Sequence, residues 1–302
     1  MPLLHPQGPT RETTLANRRR GARPALLSCA LLAAFAVAAQ ACAVDRAQCE
    51  DRYRPQTGQA GKDVVWVPTS DALVNRMLKM AAVTPQDLVY DLGAGDGKIA
   101  IAAARDFGAR AVGVEYNPVL ARLGQCLAEA DGVADRVRIQ QGDIFETDFS
   151  DATVVTLYLL PNLNLRLRPT LLQMKPGTRV VSHSFLMDDW EPDERSMTED
   201  GNAYLWIVPA SVAGDWSFRP RNGDGRIFSV RLEQKFQEIS GVAGERGRTL
   251  TEAQLEGDRV RLVFAESGSP TRVDGRLTGE RIEARVTRDG QTLDYLGERS
   301  ER

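Results

Sequence analysis

Short apolar segments alternate with helix-like segments through the middle of this 302-residue chain. Strands that alternate with helices in this way build βαβ units, in which parallel strands share one sheet covered by helices. The sequence therefore predicts an α/β fold with a doubly wound, mostly parallel sheet. The segments predicted as its strands are 88–92, 110–116, 136–140, 153–159 and 178–185.

Beyond about residue 210 the pattern changes to short alternating segments separated by Gly and Asp. Two similar pieces, 255–260 (LEGDRV) and 277–282 (LTGERI), each have the form strand, two-residue turn, strand. We therefore predict a small antiparallel β region at 215–302, following an α/β domain at 64–214.

The N-terminal 43 residues have the pattern of an export signal. Arginines at 18–20 and 23 precede an apolar run at 25–39, and small-x-small sequences follow at 39–41 and 41–43. The run is shorter than the roughly 20 residues of a membrane-spanning helix. We predict a bacterial-type signal peptide at 1–43, a linker at 44–63, and export to the periplasm or cell envelope. An uncleaved anchor, a lipid on Cys42 and a cytoplasmic protein with an unused signal are the alternatives.

The composition limits the partners and ligands that the chain can take. With 38 Lys+Arg against 41 Asp+Glu, the formal net charge is −3, which does not favour a nucleic-acid partner. The chain has two histidines and no C-x-x-C pair, so no metal site is predicted. If the chain is exported, Cys42 and Cys49 are candidates for a disulfide, whereas Cys126 is expected to be a small buried side chain.

A glycine-rich loop, DLGAGDG at 91–97, follows the first predicted strand. Bare backbone at Gly93, Ala94 and Gly95 would let a ligand lie close to the chain, beyond the carboxyl end of the strand. A dinucleotide-binding loop needs its third glycine at position 98, but here it is Gly97. Carboxylates at 91 and 96 would repel a pyrophosphate and suit a cation, so the loop favours S-adenosylmethionine (SAM).

Two further acids close the next two predicted strands. Glu115 stands where an acid accepts hydrogen bonds from ribose hydroxyls in related folds. Asp143 is placed to accept a hydrogen bond from the adenine amine, and Ile144 to pack on the purine. Three acids at successive strand ends therefore predict one adenosine-containing ligand.

These motifs resemble those of class I, seven-β-strand SAM-dependent methyltransferases, over roughly residues 64–209. The resemblance implies a sheet of order 3-2-1-4-5-7-6 with strand 7 antiparallel. The segments VPT (67–69), EYNP (115–118), LYLLP (157–161) and VVSHSF (180–185) are similar to those of FAM173-like and Dot1-like protein-lysine methyltransferases. On that resemblance Thr69 lies near the SAM carboxylate, Asn117 near the ribose, and Tyr116 in the same cofactor site.

The expected activity is methyl transfer from SAM to an acceptor, either a protein lysine amine or a small molecule. Tyr158 is the candidate acceptor-site residue, because its hydroxyl can orient an amine and its ring can stack on a cation. His183 is a candidate general base. The alternatives without a catalytic role are that Tyr158 is a packed aromatic side chain and that His183 only forms a hydrogen bond with a loop. The alternatives in function are an exported, non-catalytic SAM or nucleoside binder and, less favoured, an NAD-type oxidoreductase.

Overall fold

The computed structural model describes residues 44–300, except residue 224 and residues 267–268. The predicted signal peptide lies outside these residues. The helices are α1 (Arg46–Tyr53), α2 (Asp71–Met80), α3 (Lys98–Phe107), α4 (Pro118–Ala130) and α5 (Pro161–Leu172). None of the helices in this described part has the length and apolar character needed to cross a bilayer.

The first sheet has seven strands and confirms the predicted topology. Its strands are β1 (Leu88–Leu92), β2 (Arg110–Glu115), β3 (Val137–Gln141), β4 (Val154–Leu157), β5 (Arg179–His183), β6 (Glu194–Thr198) and β7 (Gly201–Ile207). Their order is β3-β2-β1-β4-β5-β7-β6. The first five pair in parallel, and β7 runs antiparallel to β5. The carboxyl ends of β1, β2 and β3 therefore meet at one edge of the sheet.

Apolar cores cover both faces of this sheet, as a parallel sheet requires. All four residues of β4 are buried, which explains why three of the four are apolar, the exception being Thr156. One core packs α2, α3 and α4 against the sheet, and the other packs α5 and the indoles of Trp190 and Trp206. The helices begin where the sequence supplies caps: Ser70 accepts from the backbone of α2, and Asn117 from the backbone of α4.

The C-terminal region forms a separate nine-stranded antiparallel sheet, which is more extensive than the small β region predicted. Its strands are β8 (Gly214–Pro220), β9 (Phe228–Lys235), β10 (Glu238–Ala243), β11 (Arg248–Thr249), β12 (Glu252–Glu256), β13 (Arg259–Glu266), β14 (Ser269–Thr278), β15 (Arg281–Arg288) and β16 (Gln291–Arg299). The two predicted hairpins are confirmed, with turns at 257–258 and 279–280. An aromatic core that includes Trp216, Phe218 and Phe264 fills one face.

The segment before α2 differs from the predicted linker. Residues 46–53 form α1, and a disulfide joins Cys49 in α1 to Cys126 in α4. Cys126 is therefore not a free buried thiol, and Cys49 pairs with it instead of with Cys42, which lies outside the described residues. The reason is tertiary: α1 packs along α4 and brings together two cysteines that are 77 residues apart in sequence.

Candidate active site

The glycine-rich loop joins the end of β1 to the start of α3. Gly93, Gly95 and Gly97 all have positive φ (84°, 58° and 77°), a conformation that favours glycine. A Cβ at Gly97 would lie 3.0 Å from the Ile139 side chain and 3.4 Å from the Gly124 Cα, so α4 can pack close to this loop only because both positions lack side chains. The loop thus presents bare backbone at the carboxyl edge of the sheet.

The carboxylate of Glu115 holds this loop and the next one together. One oxygen accepts from the backbone N–H of Gly95 at 2.8 Å, and the other accepts from that of Asn117 at 2.7 Å. The residue is only 7% exposed, and burial raises the pKa of its carboxyl above the usual range. Each oxygen retains a further lone pair, so Glu115 can accept from two neighbouring ribose hydroxyls.

Asp91 lies beneath the loop at the end of β1. It is 2% exposed, and one of its oxygens accepts a 2.6 Å hydrogen bond from the Thr156 hydroxyl. Burial, reinforced by the charges of Asp96 and Glu115, raises the pKa of Asp91 to about 7. A nearby positive charge would favour its ionised form, so the site is electrostatically suited to a cationic ligand.

The acid at the end of β3 lies at the other end of the cleft. Asp143 and Ile144 line a small cavity of about 60 Å³ together with Gly93, Glu115 and Tyr116. One oxygen of Asp143 accepts from the backbone N–H of Phe145 at 3.0 Å, and the other pairs with Lys62. The Lys62 ammonium and the Phe145 N–H hold the pKa of Asp143 below its usual range.

A larger cavity of about 530 Å³ adjoins this one and shares Gly93 and Glu115 as lining residues. Its opposite wall is the strap, which we define as residues 54–67, between α1 and α2. In the strap, Lys62 reaches Asp143, and the Trp66 indole lies directly against Gly95. Sequence reasoning treated most of this segment as a linker and missed both residues; the only signal was the VPT motif at its end.

Tyr158, which follows β4, lines the larger cavity beside Phe185. Its ring stacks on the imidazole of His183, with ring centroids 3.7 Å apart. The Nδ1 of His183 lies 3.1 Å from the Thr69 hydroxyl. Burial, with a contribution from the positive charge of Arg76, lowers the pKa of His183 to about 4. Such a weakly basic imidazole favours the plainer interpretation, in which His183 orients Tyr158 and Thr69.

Five of the ten residues predicted for the cofactor site line this cleft, and so does the predicted acceptor-site residue Tyr158. The five are Gly93, Glu115, Tyr116, Asp143 and Ile144. Asp91 and Thr69 lie buried behind its walls, and Asn117 caps α4 and donates to the Ala60 carbonyl at 3.1 Å. Ala94 and Gly95 line neither of the two cavities, since Ala94 is buried and Gly95 lies against Trp66. Asp96 lines a separate cavity of about 450 Å³ beside α3.

Comparison with known proteins shows the family of this chain. The family model described as the ANTKMT methyltransferase domain matches residues 91–194, which span β1 to β6. A protein-lysine N-methyltransferase of Saccharolobus islandicus is 48% identical over 151 residues, covering 48% of this chain and 94% of that protein. The chain belongs to this methyltransferase family. It is a SAM-dependent methyltransferase.

A more distant relative and a solved structure are also similar to this chain. The adenine nucleotide translocase lysine N-methyltransferase of Mus musculus is 32% identical over 152 residues, covering 50% of this chain and 65% of that protein. A solved structure described as an RNA methyltransferase from Salinibacter ruber in complex with S-adenosyl-L-homocysteine is 51% identical. It covers 48% of this chain and 96% of that chain, with a TM-score of 0.48.

The lining of the cleft is chemically compatible with SAM. Glu115 and Asp143 carry carboxylate acceptors, and Ile144 adds an apolar surface. The buried carboxyl of Asp91 lies close enough to Glu115 for their charges to interact. The roles expected of these residues toward ribose, adenine and the methionine part stay predictions.

Proposed function

We propose that the methyl acceptor is the side-chain amine of a protein lysine. The observation that carries the proposal is the aromatic wall of Tyr158 and Phe185 beside the cofactor cleft, with ring centroids 6.4 Å apart. Aromatic faces attract ammonium and methylammonium groups more strongly when water is excluded. The 48% identity to a protein-lysine N-methyltransferase supports the same acceptor class.

The residues of the cleft would promote the reaction by placement and desolvation. SAM supplies a methyl group that is already activated by the sulfonium. A lysine amine has a reference pKa of about 10.4 and must lose its proton before it can act as a nucleophile. The apolar wall formed by Leu159, Leu160 and Phe185 favours the neutral amine, because burial disfavours an ammonium. We assign to the Tyr158 hydroxyl the role of accepting from the amine N–H and orienting its lone pair.

An apolar rim surrounds the mouth of the cleft. We define it as Val65, Val67 and Leu160, which line the cavity and are 57%, 40% and 42% exposed. Large exposed apolar groups that cluster at one mouth mark an interaction surface. The rim supports an acceptor lysine flanked by apolar residues in a protein, and it does not favour the phosphates of a nucleic acid.

Polar substitution of the rim should weaken recognition of the acceptor but leave cofactor binding intact. The variant L160S should lower kcat/KM for the protein acceptor by about tenfold, because a buried leucine side chain contributes about 1.5–3 kcal/mol. Its SAM Kd should stay within about twofold of wild type. The matched control is I227S, since Ile227 is 61% exposed and precedes β9 in the C-terminal region. Equal losses in the two variants would contradict a role for the rim.

Labelled methyl transfer tests the acceptor class. The full chain and SAM carrying a labelled methyl group are incubated with envelope and cytosolic extracts, and the label is then followed through protease and RNase treatment. We expect protease-sensitive label that is recovered as methyl-lysine after hydrolysis. RNase-sensitive label, or label in small molecules alone, would contradict the proposal. SAM binding without any transfer would favour a non-catalytic binder.

We also propose that the protein is exported. The basic and apolar pattern of residues 1–43 supports this, and so does the Cys49–Cys126 disulfide, since disulfides persist in oxidising compartments. N-terminal sequencing of protein isolated from producing bacteria should find a mature N-terminus near Cys42 to Val44, in the envelope fraction. Recovery of the folded protein from the cytosol with Met1 at its N-terminus would contradict export.

A further inference from the structure

The disulfide and the strap are attached to the same helix. Cys126 of α4 holds α1 through Cys49, and α1 leads directly into the strap. Asn117, the residue that caps α4, donates from its side-chain amide to the Ala60 carbonyl within the strap. The segment from α1 to α2 is therefore fixed to both ends of α4.

Apart from the disulfide, α1 is attached to the domain by few buried contacts. It has eight residues, of which only Cys49 is buried, and Tyr53 packs partly buried against the first core. Isolated helices shorter than about 12 residues are marginal in water. The ion pair of Arg46 with Asp131 is 2.7 Å long, but the Arg46 side chain is 45% exposed, and exposed pairs contribute little. The disulfide is thus the main attachment of α1 to α4.

Backbone hydrogen bonds join the two arms of the strap as a hairpin. The backbone N–H of Gly58 donates to the Trp66 carbonyl at 2.8 Å, and the N–H of Trp66 donates to the Gln59 carbonyl at 3.0 Å. From this hairpin Lys62 reaches Asp143, and Trp66 covers Gly95. If α1 came free of α4, the wall opposite the glycine-rich loop would loosen and admit water to both ends of the cleft.

We propose that the Cys49–Cys126 disulfide positions the strap and thereby makes SAM binding depend on redox state. The oxidised protein holds SAM tightly, and the reduced protein releases it faster. Reduction breaks the Sγ–Sγ bond; the two electrons and two protons come from a dithiol such as dithiothreitol, which becomes its cyclic disulfide. Both cysteines are positioning residues, since neither lines the cofactor cleft. The inference concerns cofactor retention and holds for any acceptor.

Calorimetric titration with SAM tests the inference on the full chain. We compare the oxidised wild type, the dithiothreitol-reduced wild type and the variant C49S/C126S, which leaves the other two cysteines unchanged. SAM should bind about tenfold more weakly to the last two, the scale expected when a binding loop loses its preorganisation. Hydrogen exchange should rise in residues 54–67 and stay unchanged in β1 and β4. Because binding and disulfide state are linked, saturating SAM should also shift the equilibrium with dithiothreitol toward the disulfide form, by the same factor.

The substitution W66A tests whether the disulfide affects SAM binding through the strap. If the disulfide acts through the strap, W66A should weaken SAM binding in the oxidised protein and remove most of the difference between the oxidised and reduced forms. Should C49S/C126S fail to fold, the two redox states of wild type still give the comparison. Equal or tighter SAM binding after reduction would overturn the inference. Failure of methyl transfer to lysine would leave it unaffected, because the readout is cofactor binding.

Discussion

Replacing Glu115 by alanine should weaken SAM binding by about 1–3 kcal/mol, or roughly 5- to 150-fold in Kd. The substitution removes the acceptors expected for the ribose hydroxyls. It also leaves the backbone N–H groups of Gly95 and Asn117 without the partner that holds their two loops together. Calorimetric titration of the full chain with SAM measures the effect directly.

The controls for this prediction separate charge from loop geometry. E115Q keeps one carbonyl acceptor and should lose less affinity than E115A. E129A removes an exposed glutamate from the far end of α4 and should leave the SAM Kd unchanged. The prediction is wrong if E115A and E129A bind SAM equally well.

SAM binding should become weaker as the pH falls below about 7, because Asp91 must ionise to meet a cationic ligand. Burial raises the pKa of this carboxyl to about 7, so near neutrality a large fraction is protonated in the free protein. Positive charge in the cleft lowers that pKa, and binding therefore releases a proton. Below the pKa of Asp91, the Kd for SAM should rise by up to about tenfold for each unit by which the pH is lowered.

The same shift determines how the stability of the free protein depends on pH. The pKa of Asp91 in the folded protein lies above its unfolded value of about 3.9. The contribution of this carboxyl to the free energy of unfolding is therefore fully present below pH 4, and it is lost as the pH rises through about 7.

The variant D91N tests this linkage. Asparagine can keep the hydrogen bond from Thr156 but does not titrate. It should bind SAM more weakly than wild type at pH 8 and show a much flatter dependence on pH. Titrations in buffers of different ionisation enthalpy should detect proton release with wild type only. A wild-type Kd that is constant from pH 6 to pH 8 would contradict the assigned role of Asp91.

The fold of the first domain was predictable because the sequence of each strand and helix indicates its own secondary structure. The central strands β1 and β4 are mostly apolar, β3 alternates apolar and polar residues, and α3 and α4 begin and end where glycine, proline or Asn117 marks a boundary. The strand order came from the family resemblance, and the paired strands confirm it. The extent of the C-terminal sheet was underestimated, since edge strands such as β11 have only two residues and little pattern of their own.

The sequence predicted that residues at the strand ends would lie together, but it did not predict the tertiary contacts around them. Glu115 and Asp143 follow strands whose ends must meet, so their proximity followed from topology. Nothing local in the sequence shows that Cys49 lies against Cys126, or that Trp66 covers Gly95. Those contacts require the strap to fold back over the sheet, which depends on the packing of α1 on α4.

The most direct measurement of the central claim is a paired titration of the full chain with SAM and with NAD⁺ under the same conditions. If the acidic cleft selects a cationic, phosphate-free nucleoside, SAM should bind with an affinity that depends on Glu115 and Asp91, and NAD⁺ should show no saturable binding. Tighter binding of NAD⁺ than of SAM, or SAM binding that neither E115A nor D91N weakens, would contradict the account.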